Sequence, residues 1–276
     1  MTDGALLTEL AGLGPFFALG WHPAGSAPSD GWRPLEELLR QPGVLGTRVA
    51  ATRAALAEAS GQPPGDVELR VAASMTQLGL AARLVCPALG AAALTGRPPR
   101  IDPARMRWRP GPGGAVALSI SDGALLPTSS AAADPAALAG ALADSVLNGP
   151  VRALVQTSAQ FGVSPQVLWG NVASVVNGAR ALIGVAAPGL SGPAEQIVSG
   201  LLARPPLHGR HQGSAAAGFR RRSCCLVYRL VAAAAPVCGD CVLTRGPTRA
   251  DRGATRADRK ATPADRGPGA STDWSG

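Results

Sequence analysis

Cys224, Cys225, Cys238 and Cys241 are the residues whose type and spacing can do chemistry beyond core packing. They are four of the chain's five cysteines and fall within eighteen residues. Thiols crowded in this way ligate a metal or pair as disulfides, whereas scattered cysteines behave as small buried hydrophobes. Disulfide frameworks staple small secreted domains that lack a core, and 276 residues with 46% hydrophobic content can bury one. The N-terminus also reads without a secretory leader, since Asp3 and Glu9 come early and the first arginine is Arg33. Metal is the better expectation. In Cys238-Gly239-Asp240-Cys241 two thiolates can converge on one tetrahedral zinc, with Gly239 free to take a positive φ. Cys224 and Cys225 suit zinc poorly, because neighbours in extended backbone send their side chains to opposite faces. An iron–sulfur cluster is a larger object that diverging neighbours reach more easily. The ligand chemistry therefore favours a cluster, with structural zinc as the second reading.

The string Arg221-Arg222-Ser223-Cys224-Cys225-Leu226-Val227-Tyr228-Arg229, followed by Cys238-Gly239-Asp240-Cys241, resembles the C-terminal [2Fe–2S] motif of FhuF-like ferric siderophore reductases. Weaker likeness extends into the body through Arg70-Val71-Ala72-Ala73-Ser74, Gln77 to Arg83, and Leu168-Trp169-Gly170-Asn171. Twelve residues separate the two cysteine pairs, a longer spacer than the family usually carries. The resemblance implies Cys224, Cys225, Cys238 and Cys241 as ligands of a [2Fe–2S] cluster, with no further catalytic residue assigned. It implies one-electron reduction of a hydroxamate-type ferric siderophore, with a ferredoxin or flavoprotein as electron donor. It also implies a cytoplasmic protein, at most peripheral to the inner face of the membrane. The chemistry can be stated without the family. Hard hydroxamate oxygens hold Fe(III) far more tightly than Fe(II), so one added electron releases the metal. A zinc knuckle without redox role, or a relative that binds siderophore without reducing it, is the alternative.

Charge is distributed unevenly. The net charge is +8, carried by 25 arginines and the single Lys260 against 18 acids. Residues 1–203 hold thirteen arginines and thirteen acids, whereas residues 204–222 add five arginines and no acid. A basic segment directly before the cysteines can draw in anionic partners or raise a cluster's potential, the plain alternative being a solvated linker. Arg220, Arg221, Arg222 and Arg229 flank the first cysteine pair and are the candidates for such tuning. A pI near 10.5 invites a nucleic-acid reading. It is not adopted, because no basic helix or binding motif occurs and only 4% of residues are aromatic.

The elements that must position these residues read as a mostly helical α+β fold. Three parts are expected: a helical body over 1–203, a cysteine-bearing segment over 204–243, and a low-complexity tail over 244–276 with a seven-residue repeat. Apolar spacing predicts helices over Ala5 to Leu13, from Pro34, over Leu45 to Ser60 and over Asp66 to Leu94, with Asp66 and Glu68 in the first turn of the last. That long apolar stretch is read as a buried helix, kinked or ended at Pro87, and not as a membrane span, because Arg83 and Pro87 interrupt it. Cys86 within it is read as core packing. Alternating residues around Pro110 to Gly114 predict a β-hairpin near 105–121. Asp134-Pro135 starts a helix that Asn148-Gly149-Pro150 stops, a second ends at Gly162, Ser164-Pro165 starts a third and Pro193 a last. On the third, Trp169 and Asn171 read as packing and a helix-to-helix hydrogen bond, or else as a surface near the cluster. His208 and His211 read as ordinary loop histidines, with Trp21 and His22 at the core edge.

Overall fold

The computed structural model describes residues 3–26, 31–99, 101–121, 125, 132–215, 218–230 and 238–243. The spacer residues 231–237 and the repeat-bearing tail 244–276 lie outside the described residues. The fold is mostly helical α+β. Its centre is helix α4 (Leu69–Thr95), preceded in the chain by α1 (Asp3–Gly12), strands β1 (Gly20–Trp21) and β2 (Arg33–Pro34), α2 (Leu35–Arg40) and α3 (Pro42–Ser60). Small residues let other helices approach α4 closely: Ala72, Ala73, Ala81, Ala88, Ala91 and Ala92 are all buried. α4 is long and apolar enough to span a membrane by length and composition, yet 67% of its most apolar window is buried inside the protein. It is a core helix. Pro87 neither ends it nor leaves the core, and Cys86 beside it is buried, its thiol pushed up to about 12 by burial.

The first turn of α4 differs from expectation. Asp66 and Glu68 precede the helix, and the Glu68 carboxylate, at the cap position, lies 2.6 Å from Arg70 and 2.5 Å from Arg229 instead of capping an amide. Both arginines hold the Glu68 carboxyl below the usual range. Ion pairing with a distant segment has displaced a local capping preference.

Strands β3 (Met106–Pro110) and β4 (Val116–Ile120) form the expected antiparallel hairpin, with Met106 opposite Ile120 and Trp108 opposite Leu118. Val116, Leu118 and Ile120 are buried, as period-two alternation requires. The sheet is wider than sequence indicated: its order is β1-β4-β3-β2, with β1 parallel to β4. The added strands are two residues long, too short to leave a pattern. Trp21, on β1, is 53% exposed, while His22 shares a 2.7 Å hydrogen bond with Ser119 Oγ.

The hairpin turn seats on α3 at Gly114, whose φ is +82°. A Cβ there would lie 2.9 Å from Thr52 N and 3.0 Å from Arg48 O, against helix backbone that cannot yield. Gly114→Ala combines left-handed strain with overpacking, and is expected to cost about 2–4 kcal/mol. The check is urea unfolding; a change below about 0.5 kcal/mol would mean that the turn does not seat on α3.

Helix α5 (Pro135–Leu142) begins as expected, with the Asp134 side chain accepting from Ala137 N. Asn148-Gly149-Pro150 does not stop the helix. A π-helical stretch, Ala143–Val151, carries the chain into α6 (Arg152–Ala159), with Gly149 taking the non-helical angles φ −94°, ψ −111°. Widening the turn accommodates a proline that cannot donate and would clash with the preceding turn. Ser164 caps α7 (Pro165–Ala186), which packs along α4, and α8 (Ser191–Leu202) follows. The segment after α8 is an irregular ribbon of β5 (His211–Gln212) and β6 (Arg220–Arg221), antiparallel, with His211 opposite Arg221. β6 lies against α7.

Candidate metal centre

The two cysteine pairs arrive from separate turns. Beyond β6, Ser223 Oγ donates to the carbonyl of Gln166 at 3.1 Å, directly over Gly170 of α7, where a Cβ would collide with that hydroxyl. The carbonyl of Cys225 accepts from Ser74 Oγ on α4 at 2.8 Å. Leu226 then takes φ +72°, the single positive φ among the described non-glycine residues. That conformation costs a branched side chain on the order of 1–3 kcal/mol. It turns the chain so that Leu226 N–H donates to Cys224 Sγ at 3.4 Å. In the second pair, Cys241 N–H donates to the Cys238 carbonyl at 2.9 Å, and Leu243 N–H to Cys241 Sγ at 3.3 Å. Each half thus aims a backbone donor at a sulfur two residues earlier.

Arg221 joins the halves. Its side chain is 1% exposed. Its backbone N–H donates to the Asp240 carbonyl at 3.1 Å, and its Nε lies 3.4 Å from Asp240 Oδ1. One terminal nitrogen donates to Cys238 Sγ, the other to Asn171 Oδ1 at 2.9 Å. Asn171 Nδ2 in turn lies 3.0 Å from Ser74 Oγ and 3.1 Å from Gln77 Oε1, so the guanidinium rests on a fully buried polar network between α4 and α7. A cation desolvated this far needs such partners.

Cys225 Sγ and Cys238 Sγ stand 3.7 Å apart. Two thiolates on one tetrahedral ion with bonds of ~2.3 Å would be separated by about 3.8 Å, so this pair fits a shared ion as it stands. Among the described residues no three His, Cys, Asp or Glu side chains close on one point. One sulfur from each half, Cys225 and Cys238, is thus brought within reach of a shared ion, while Cys224 and Cys241 complete the four thiols on the same two turns. Burial raises the Cys225 thiol, but the Val227 N–H and the Arg221 guanidinium bring it below its ordinary value. Burial pushes Cys238 up despite Arg221, because a proton shared with Cys225 is hard to remove. Burial likewise raises Cys224, where neighbouring Cys225 and Cys241 add to the effect.

The four flanking arginines have different fates. Arg221 donates to the Cys238 sulfur. Arg220 is half-buried opposite Gln212, Arg229 is paired with Glu68, and Arg222 is exposed and lines a cavity with His208 and His211. Trp169 and Asn171 are both buried and form no surface; Asn171 makes the expected helix-to-helix hydrogen bond and, in addition, accepts from Arg221 of the cysteine segment. Ser74 and Gln77 lie in the stretches that carry the weaker likeness, but the sequence reading gave neither a role of its own. Their signal was two polar residues three apart on an otherwise apolar helix face.

No curated protein matches the chain. Residues 221–243, running from the buried arginine to just past the last cysteine, match the family model of the FhuF 2Fe-2S C-terminal domain, so the cysteine-bearing end of the chain is similar to an iron–sulfur domain of the FhuF type.

Proposed function

We propose that this protein is a ferric-chelate reductase, in which Cys224, Cys225, Cys238 and Cys241 hold a [2Fe–2S] cluster. The observation that carries the reading is the coincidence of the matched segment with a preformed pair of sulfurs 3.7 Å apart, backed by a buried arginine. When bound, such a cluster supplies single electrons, which suffice to release iron from an oxygen cage that holds Fe(II) weakly. The chain's own residues prepare the site. Leu226 and Leu243 N–H groups point at sulfurs, Arg221 places a fixed positive charge beside Cys238, and burial of Cys225 and Cys241 keeps water from the sulfurs. A hydroxamate-type ferric siderophore is the substrate in this reading, a cytoplasmic ferredoxin or flavoprotein the electron donor.

Anaerobic purification tests the proposal. The protein should be red-brown, with roughly two irons and two sulfides per chain. It should also reduce a ferric trihydroxamate, as read by a chelator that colours with Fe(II). A colourless, zinc-loaded protein would establish the zinc knuckle instead, and a cluster-bearing protein inert toward every ferric chelate would leave only binding.

A further inference from the structure

Alternation along the β5–β6 ribbon sorts its side chains onto two faces. His211, Phe219 and Arg221 share one of them: the two rings stack at 5.2 Å, and Arg221, 1% exposed, reaches the Cys238 sulfur. The other face carries Arg220 opposite Gln212, and Arg222 opposite Arg210, whose carbonyl accepts from Arg222 N–H at 2.9 Å. Arg222 and Gln212 are exposed there, and Arg210 and Arg220 are half-buried.

Two arginines directly opposite on paired strands repel, and a ribbon shaped by stability alone would set an acid at one of the two positions. None is there. The stretch 204–222 contains no acid, and among the described residues no carboxylate forms an ion pair with Arg210 or Arg222. The charge is left for an anionic partner to neutralise, on a ribbon one strand thick whose reverse side reaches a cysteine sulfur. The other polyanions suit this face less well than a redox protein does. Its positions 210, 212, 220 and 222 hold three arginines and a glutamine, with no aromatic ring to stack on bases and no apolar side chain to enter a lipid layer.

We infer that the arginine face of the ribbon is the docking surface for an acidic one-electron carrier protein of the ferredoxin class, leaving the cysteine-bearing turns to the hydroxamate chelate. The inference rests on the reductase reading. The carrier's reduced iron–sulfur centre gives up one electron and the cysteine-held cluster accepts it. No bond forms or breaks and no proton moves, so one encounter suffices for each Fe(III) reduced.

A plant-type [2Fe–2S] ferredoxin, an acidic carrier, is the probe. Titrated calorimetrically in its oxidised form at low salt, it should bind the full-length, cluster-loaded protein. Binding should be roughly tenfold weaker to Arg222→Glu, and roughly a hundredfold weaker when Arg210→Glu is added. Raising the salt from ~0.01 to ~0.15 M should weaken the parent complex about tenfold. Cluster reduction by the reduced ferredoxin should slow in step, whereas reduced methyl viologen, a small cation, should reduce the cluster of both variants no more slowly than that of the parent. Arg222→Glu also removes a like-charge pair, so its urea midpoint should be no lower than the parent's; a lower midpoint would mark a structural role and overturn the docking face. Equal ferredoxin affinity in the parent and both variants overturns it as well, and leaves the reductase reading standing where viologen still drives reduction of a ferric trihydroxamate. Arg222-dependent binding of phosphatidylserine vesicles or of a DNA duplex, tighter than that of the ferredoxin, overturns the choice of partner. Arg222-dependent ferredoxin binding without reduction of any ferric chelate supports the docking face and overturns the reductase reading.

Discussion

Cys238→Ser is expected to strip the protein of its iron. Cys238 faces the Cys225 sulfur at 3.7 Å and accepts from the buried Arg221. Serine there offers a hydroxyl of far higher pKa and a harder donor atom, so the shared site loses its anionic ligand while the buried guanidinium loses a partner. Acid-labile sulfide and iron should fall to near background, with the visible absorption, and chelate reduction should go with them. Cys225→Ser should do the same. Cys86→Ser provides the contrast: that thiol is buried among apolar residues of α4 with its pKa pushed to about 12, so its loss should cost about 1–2 kcal/mol of stability and no iron. A Cys238→Ser protein retaining full iron and colour would remove the four-thiolate site from the account.

Arg221→Met should do the most damage among substitutions outside the cysteines. It removes a cation that is 1% exposed, leaving Asn171 Oδ1 buried without its donor and Asp240 without its counter-charge. Breaking a buried pair from one side costs about 3–5 kcal/mol, and urea unfolding should read that loss. A second consequence is separate from stability. Taking a positive charge from beside Cys238 makes electron uptake less favourable, and the cluster potential should fall by roughly 50–100 mV at an effective dielectric of ~20. Arg221→Lys should keep much of the potential but little of the stability, because an ammonium cannot reproduce the fork between Cys238 and Asn171. Arg222→Ala, at an exposed and screened position, should move the potential far less than Arg221→Met. Equal shifts for the two would show that burial does not control the tuning.

How much of this was legible beforehand follows from the range of the interactions involved. Ser164-Pro165, Asp134-Pro135 and Gly61 marked helix ends correctly because capping is settled within a few residues. Glu68 misled because its carboxylate is claimed by Arg229, 161 residues away in the chain. Gly149-Pro150 misled because tertiary packing accepts a π-helical distortion where local preference would stop the helix.

For the site the same division holds. The clustering of cysteines, the two turns that carry them and the arginine run before them are local, and the chain order alone determined that thiol chemistry belongs at residues 224–241. Only the tertiary structure decided which arginine meets a sulfur. Residues 220, 221 and 222 are identical side chains in sequence, and their roles diverge once the ribbon packs on α7: Arg221 is driven inward onto Asn171, Ser74 and Gln77, and Arg222 is left at the cavity. The physical reason is that burying a guanidinium is tolerable only where distant polar groups already wait for it, and no window of sequence holds both the charge and the partners that α4 and α7 bring to it.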